Sequence, residues 1–586
     1  MSILKKGLAT GLTAALLVST VLSGCGSTKQ AAGDDATSFD YLLAIGVESR
    51  FYDGDYNQNP IAKYWNDMEW DADGDGEGTR ISVNFITPPE GGESDYFNTL
   101  MATGEYGDII NLSYSSDNAS TLYEEGIALD LTEYVENYMP NYKAWLEAHP
   151  SLASQMTNDG KYIMLYTLAD QPEEAWGGYM YRRDWILKYG TNPETGEAFT
   201  GGWNEDKTEW TDDIVFPSGN TDPIYISDWE WMLDIFQTAI DTNGYDTGYA
   251  YQQYSAGYLA TGDFNSGFGA PMGYYIDDDG ICKEGMTTDN ARAYLQCMNS
   301  WYEKGWINKD FEENTNDVFF MVDTANVYGG FVGSWYGLIS QLGNTMDTGD
   351  AATDGICVWG ARQPINDVYG DESCQGKEPM MFYQEGLVAT GVVITDKAAD
   401  KDIATLCAAF DYLYSTEGGL LHQYGFSDEQ QAEVQDEFYK EWGMDNGVYT
   451  TTYDDAGNAT YHIDPQRDLQ SIGVPLSFVR VIGQSVNSNI DWGRDEIYDH
   501  GVSEMGVFTS TGAILSTVTN QLTADQSNDY GLINTNCSTY ASQAVPDFIT
   551  GRTDIDNDAD WQAYVDEIKS YGVDRYCGYI NEILGN

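Results

Sequence analysis

The stretch between residues 41 and 112 restricts the fold most. Residues 41–47 form an apolar run of strand length, and Asn59-Pro60 then caps a helix that puts Ile61, Tyr64, Trp65 and Met68 on one face. Ile81, Val83 and Phe85 alternate as a strand. A short helix follows with Phe97, Leu100 and Met101 inward, stopped by Gly104, and residues 108–112 make the next strand. Strand, helix, strand, helix, strand demands a parallel sheet flanked by helices. With 586 residues there is ample core for two to four domains.

The pattern resumes after residue 177. Residues 178–181 read as a strand leading into 184–189, and Ser227-Asp228-Trp229-Glu230 reads as a capping box. It opens a helix with Trp229, Met232, Leu233, Phe236 and Ile240 on one stripe. Residues 325–332 and 387–394 read as buried strands. Ile403, Leu406, Cys407, Phe410 and Leu413 form a further helix stripe, as do Trp561, Tyr564, Val565 and Ile568. Loops rich in Gly, Asn and Asp lie between, notably 191–222 and 445–470. The expectation is an α/β protein of two lobes, in which Trp65, Trp229 and Trp561 are core.

The N-terminus sets the compartment. Lys5-Lys6 precedes an apolar run over 7–22, too short for a confident membrane span, which ends in Leu22-Ser23-Gly24-Cys25. This looks like a bacterial lipobox: residues 1–24 are expected to be a lipoprotein signal peptide, and 25–37 a lipidated tether starting at Cys25. Acyl chains such as palmitate on that cysteine would hold the protein on the extracellular face of the cell membrane. An ordinary signal peptide with an incidental cysteine is the plainer alternative.

Composition narrows the partners. Acidic residues number 94 against 27 Lys plus Arg, so the net charge is 27 − 94 = −67, which argues against nucleic acid as a partner. The 44 Tyr, 16 Trp and 20 Phe suit sugars, whose C–H faces stack on flat rings. Catalysis finds little support: His149, His422, His462 and His500 form no HExxH, and no GxSxG elbow follows a strand. Seven cysteines besides Cys25 lack CxxC spacing; one or two disulfides, Cys357 with Cys374 for example, stay open.

Several segments carry a family resemblance. Residues 101–110 (MATGEYGDII) resemble the sequence preceding the ligand loop in extracellular solute-binding proteins of ABC sugar importers (solute-binding protein family 1), although that family commonly has Pro where Gly107 stands. Residues 181–190 (YRRDWILKYG) resemble the first strand-to-helix passage of its second lobe. Residues 325–335 (ANVYGGFVGSW) resemble its late strand ending in a small-residue–Trp loop, and 386–395 the return to the first lobe. The long loops place the chain nearer the large oligosaccharide-binding type.

The resemblance implies a two-lobed periplasmic-binding-protein-like fold (type II) with the ligand cleft between the lobes. The first lobe is expected over 38–170 and 378–425, the second over 171–377 and 426–586. It further implies a monomeric substrate-binding lipoprotein that captures an oligosaccharide outside the cell and delivers it to the ABC permease subunits, with no cofactor required. A secreted glycoside hydrolase and a carbohydrate-binding surface protein without a transport role are the alternatives. A hydrolase would need two carboxylates about 5–9 Å apart, and 94 acids make such pairs uninformative.

Candidate ligand residues follow from position. Tyr114 and Ser115 end the 108–112 strand, where open α/β sheets bind ligands. Trp176 falls at the expected lobe crossing and Trp335 resembles the family's stacking Trp. Glu48, Arg50, Tyr254 (with Tyr251) and Glu385 are weaker candidates, and Arg183 is weighted toward a structural role. The surface charge favours a neutral oligosaccharide unless Arg50, Arg182 and Arg183 gather in the cleft. Asp71, Asp73 and Asp75 occupy positions one, three and five of a calcium loop with Gly76 at six, but Ser82 stands where an EF-hand needs Glu. Structural calcium is thus a weak expectation, and an acidic solvated turn the simpler one.

Overall fold

The structure is a computed structural model that describes residues 37–586 apart from 45–50, 53, 90–91, 116, 173, 176, 246–247, 254–263, 314–331, 344–354, 380–385, 465–472, 508–513 and 515. Its strands run β1 (Thr37–Leu42), β2 (Ile81–Ile86), β3 (Ile109–Asn111), β4 (Leu165–Ala169) and β5 (Gly177–Arg182). A hairpin of β6 (Gly201–Trp203) and β7 (Trp210–Asp212) precedes β8 (Tyr249–Gln252) and the β9 (Tyr274–Ile276)–β10 (Cys282–Glu284) hairpin. Next come β11 (Val332–Leu338), β12 (Val358–Ala361) and β13 (Val388–Ile394). The last are β14 (Tyr449–Tyr453), β15 (Ala459–Ile463), β16 (Gln484–Ser485) and β17 (Ile490–Asp491).

The first lobe is built on a six-stranded sheet in the order β16-β4-β13-β3-β1-β2, parallel except for β13. The expected alternation is present: Asn59 accepts from the backbone N–H groups of Ile61 and Ala62 (2.8 and 3.0 Å), starting the helix Pro60–Asp67. That helix buries Ile61, Ala62 and Trp65, and the Trp65 ring stacks on Phe410. The helix Glu93–Thr103 ends at Gly104, whose φ of 69° is the left-handed conformation expected of a stop glycine. Gly107 has a reason of its own. A Cβ there would lie 2.6 Å from the Asp40 carbonyl oxygen of β1.

Two boundaries differ from expectation. The first strand pairs over Thr37–Leu42, with Phe39 opposite Val83 and Tyr41 opposite Phe85, four residues earlier than the apolar run suggests. The second lobe does not begin again at residue 426. Phe426, Tyr439, Met444, Tyr449, Leu476, Phe478 and Val486 are all buried in the first lobe's core, so that lobe extends to about residue 490.

The second lobe holds a four-stranded sheet, β12-β5-β11-β8, in which β5 is antiparallel to both neighbours and β8 is parallel to β11. The helix Ile226–Asn243 buries Trp229, Met232, Leu233, Phe236 and Ile240 as its stripe predicts. Its start lies before Ser227, however. The Asp228 carboxylate accepts from the backbone of Ile224, Tyr225 and Ser218, at 2.9, 3.1 and 2.9 Å. The helix Glu496–Met505 sits so close to β12 that a Cβ on Gly360 would lie 2.6 Å from the Gly501 Cα. Three C-terminal helices, Ala524–Ile549, Asp558–Ser570 and Val573–Leu584, complete this lobe, with Trp561 buried as expected.

The crossings between lobes lie side by side. Ala169 N–H donates to the Leu387 carbonyl at 3.0 Å and Asp170 N–H to the Ser485 carbonyl at 3.0 Å. The Asp170 carboxylate accepts from Asn487 N–H at 2.7 Å and from the Ser488 hydroxyl. A further contact joins the lobes at residues 517–522. Val518 and Leu522 are buried in the second lobe's core, yet the Thr519 and Leu522 carbonyls accept from Asn118 (3.2 and 2.8 Å). The Asn520 carbonyl accepts from Ser120 (2.5 Å), and Gln521 donates to the Gln155 carbonyl (2.8 Å).

Candidate functional site at the crossing edge

Strand direction defines one edge. The carboxyl ends of β1, β2 and β3 lie on the side where β4 leaves for the second lobe and β13 returns. In the second lobe the start of β5, next to that crossing, shares its edge with the ends of β8, β11 and β12. Segments following these strands therefore gather at the junction, the position at which open α/β sheets bind ligands.

Most of the expected contact residues follow these strands, but Glu48, Arg50, Trp176, Tyr254 and Glu385 lie outside the described residues, as does Cys25. Tyr114 ends the short 3-10 turn Leu112–Tyr114 after β3, and its side chain is outside the description. Ser115 is part-exposed there, and its hydroxyl accepts from Asp117 N–H at 3.0 Å.

Two aromatic candidates are corrected. Trp335 lies inside β11 rather than in a loop after it, and it is 0% exposed among Met180, Leu342, Val358 and Met505. Its indole N–H donates to Gln341 at 2.8 Å, so the ring packs the second lobe and offers no open stacking face. Tyr251 is likewise core, against Phe264 and Trp301.

Glutamines stand at the second-lobe edge instead. Gln252 ends β8, Gln253 follows it, Gln341 lies just beyond β11, and Gln363 is two residues past β12. All four are buried. The Gln363 amide reaches the Tyr179 hydroxyl at 3.5 Å, while its carbonyl oxygen is buried without a protein partner among the described residues. An amide group both donates and accepts, matching a sugar hydroxyl without requiring charge. Gln252 and Gln253 stand between the two tyrosines of YQQY, which are the side chains expected to matter there.

Arg183 is structural. It forms two hydrogen bonds to Asp212 (2.6 and 2.8 Å), donates to the Tyr181 hydroxyl at 2.7 Å, and stacks over Trp359. Arg182 pairs with Asp184 in the same way (2.8 and 2.6 Å). Neither guanidinium is available to an anionic ligand. Close by, Asp222 accepts from His500 (3.0 Å) and Trp359 (3.2 Å), and Arg362 grips both oxygens of Glu504 at 2.6 Å each. Asp222, His500 and Glu504 have converging ligand atoms, but Asp222 already faces Arg183 at 4.0 Å and Glu504 faces Arg362 at 2.6 Å. The cluster anchors the helix Glu496–Met505, and the hydrogen bond that His500 donates to Asp222 raises the His500 pKa.

The acidic loop has a definite shape. Asp71 accepts from the backbone of Gly74, Asp75 and Gly76 (2.8, 3.1 and 3.0 Å), and carboxylate oxygens of Asp71, Asp73 and Asp75 lie within 4.8 Å of one another. Ser82 is inside β2, so a bidentate ligand at the twelfth position is absent.

With this geometry in place the fold can be assigned. It is the two-lobed α/β fold of solute-binding proteins. An alginate-binding protein solved without calcium ion is similar over 94% of this chain and 99% of its own, with TM-score 0.61 and 16% identity. An HMO-binding, ABC-transporter-associated solute-binding protein from Bifidobacterium longum infantis has TM-score 0.62 and 15% identity over the same shares. A Streptococcus pneumoniae ABC-transporter substrate-binding protein in complex with kestose has TM-score 0.60 and 14% identity, again over 94% and 99%. No protein-family model and no curated protein matches the sequence. Among the described residues no helix is long and apolar enough to cross a membrane.

Proposed function

We propose that this chain is the substrate-binding protein of an ABC importer, a non-enzymatic monomer that captures a neutral oligosaccharide and hands it to the permease. The observation carrying this reading is the junction itself: the strand ends of both lobes point toward the side where the chain crosses between them, so a ligand held there would contact both lobes. Such a ligand favours the closed form by differential affinity, and no covalent step is needed. The buried glutamines at the second-lobe edge support an uncharged polyol over an oligouronide, because Arg182 and Arg183 are committed elsewhere. Solved proteins of this fold include an alginate-binding protein, an HMO-binding protein and one in complex with kestose, which supports a carbohydrate as ligand class. Attachment to the outer face of the membrane through Cys25 belongs to the same proposal, as do Tyr114, Ser115, Trp176, Glu48, Arg50, Tyr254 and Glu385 as contacts.

Calcium at Asp71, Asp73 and Asp75 is a secondary part of it. The backbone N–H groups fix Asp71 at position one, three carboxylates converge, and the missing twelfth ligand implies weak affinity. The deciding experiment is a thermal-shift screen against a glycan panel followed by calorimetry on the hits. A ligand that binds only the folded state must raise its melting temperature. Stabilisation by neutral oligosaccharides without hydrolysis supports the proposal. Hydrolysis products, or tighter binding of an oligouronide than of every neutral glycan, would overturn it.

A further inference from the structure

The last helix, Val573–Leu584, lies along the β9–β10 hairpin. Asn581 accepts from Cys282 N–H at 2.6 Å and donates to the Cys282 carbonyl at 3.2 Å. Asn586 donates to the Gly280 carbonyl at 2.7 Å, and Tyr274 packs edge-on against Tyr576 at 4.5 Å. Cys577 precedes Asn581 by one helical turn, so it occupies the same face and meets Cys282 side chain to side chain. Both cysteines are free thiols, buried at 2% and 8% exposure, and their side chains interact. Of the pair left open in the sequence, Cys357 donates its N–H to Asp184 and Cys374 to the Asp371 carbonyl.

We propose that Cys282 and Cys577 are a disulfide-forming pair, a modification site that fastens the C-terminal helix to the β9–β10 hairpin when a low-molecular-weight disulfide is available as oxidant. With Cys282 reacting first, it does so as the thiolate, the nucleophilic form of a cysteine. Its thiolate attacks one sulfur of the oxidant; that S–S bond breaks and one thiolate leaves. Cys577, losing its proton, then attacks the Cys282 sulfur of the mixed disulfide and expels the second thiolate. The cysteines lose two electrons together, the oxidant gains them, and the two departing thiolates take up the two protons. The chemistry of the pair is independent of the sugar-binding proposal. Only the supply of oxidant in the cell rests on the chain lying outside the cytoplasm.

The test uses the full chain, once folded and once refolded from the reduced denatured state, each incubated with oxidised glutathione. Acid quenching, denaturation, alkylation and peptide mapping follow. The expected product is a cross-linked peptide pair, two hydrogens lighter than the sum of its parts, with two fewer alkylated thiols. Cys282→Ser or Cys577→Ser should abolish the link, while Cys407→Ser should leave it. The oxidised form should melt about 3 °C or more above the reduced one, since the closed loop is long. If both thiols stay alkylatable under both regimes, or if either links instead to Cys537, the proposal is overturned. Stable glutathione adducts at Cys282 without ring closure would overturn it equally.

Discussion

Arg494 donates to Glu174 at 2.6 Å, tying the third lobe crossing to the first. The two partners are unequal: the Arg494 side chain is 8% exposed and stacks on Trp492 and Tyr498, whereas Glu174 is 54% exposed. Removing the packing therefore matters more than removing the charge. Arg494→Ala is expected to destabilise by about 1–3 kcal/mol, against about 0.2–1 kcal/mol for Glu174→Gln. Urea denaturation of the two variants measures the difference, and equal losses would refute the packing argument.

Gln363 gives the sharpest test of the second-lobe edge. If its buried carbonyl oxygen meets a ligand hydroxyl, Gln363→Ala should weaken binding of the best neutral oligosaccharide about tenfold. The melting temperature without ligand should change little. Calorimetry that finds unchanged affinity would remove Gln363 from the site.

The acidic loop follows Trp70 directly, which suits an optical readout. Terbium added to the full chain should show emission sensitised by tryptophan, competed away by calcium at about 0.1–1 mM. Asp73→Asn should abolish the signal while leaving the Asp71 turn and the antiparallel bridge between Trp70 and Thr79 in place. Sensitised emission that survives this substitution would assign the signal to another site.

Two histidines set opposite pH dependences. His422 is fully buried, and its pKa is pushed down to about 4 by loss of solvation, despite its hydrogen bond to the Val481 carbonyl. The unfolded chain takes up that proton first as pH falls below about 6.5, so stability drops between about 6.5 and about 4, by roughly 3 kcal/mol in all. His500 is raised by its hydrogen bond to Asp222, so its contribution is present below about 6.5 and fades as pH rises through the folded value. His422→Leu should flatten the acid limb and His500→Asn the limb above it. Denaturation midpoints across the pH range would show either limb unchanged if the assignment fails.

Sequence periodicity captured what local burial controls. The helix stripes at Trp65, Trp229 and Trp561, the alternation of Ile81, Val83 and Phe85, and the stop at Gly104 are all in place. It failed where distant packing decides. The pairing of β1 begins at Thr37, ahead of the apolar run, and nothing local indicates that Phe39 is the inward partner of Val83. The assignment of 426–486 to the first lobe depends on Phe426 meeting Tyr64 and Phe478 meeting Tyr56 across the chain. Trp335 misled because a strand continuing through it looks like a strand ending before it. The edge glutamines were illegible, since an amide gains significance only once β8, β11 and β12 are known to end together.

The contact at residues 517–522 constrains movement mechanically. One lobe is joined to the other along the crossing edge and touched again where the Thr519, Asn520 and Leu522 carbonyls accept from Asn118 and Ser120, and the Gln521 side chain donates to the Gln155 carbonyl. Two separated attachments leave a single line about which the lobes can turn with every bond intact. Rotation about that line is a torsion of one lobe against the other. A wide gape about any other axis must first release those bonds, so small torsional excursions precede large openings and limit the aperture between the lobes.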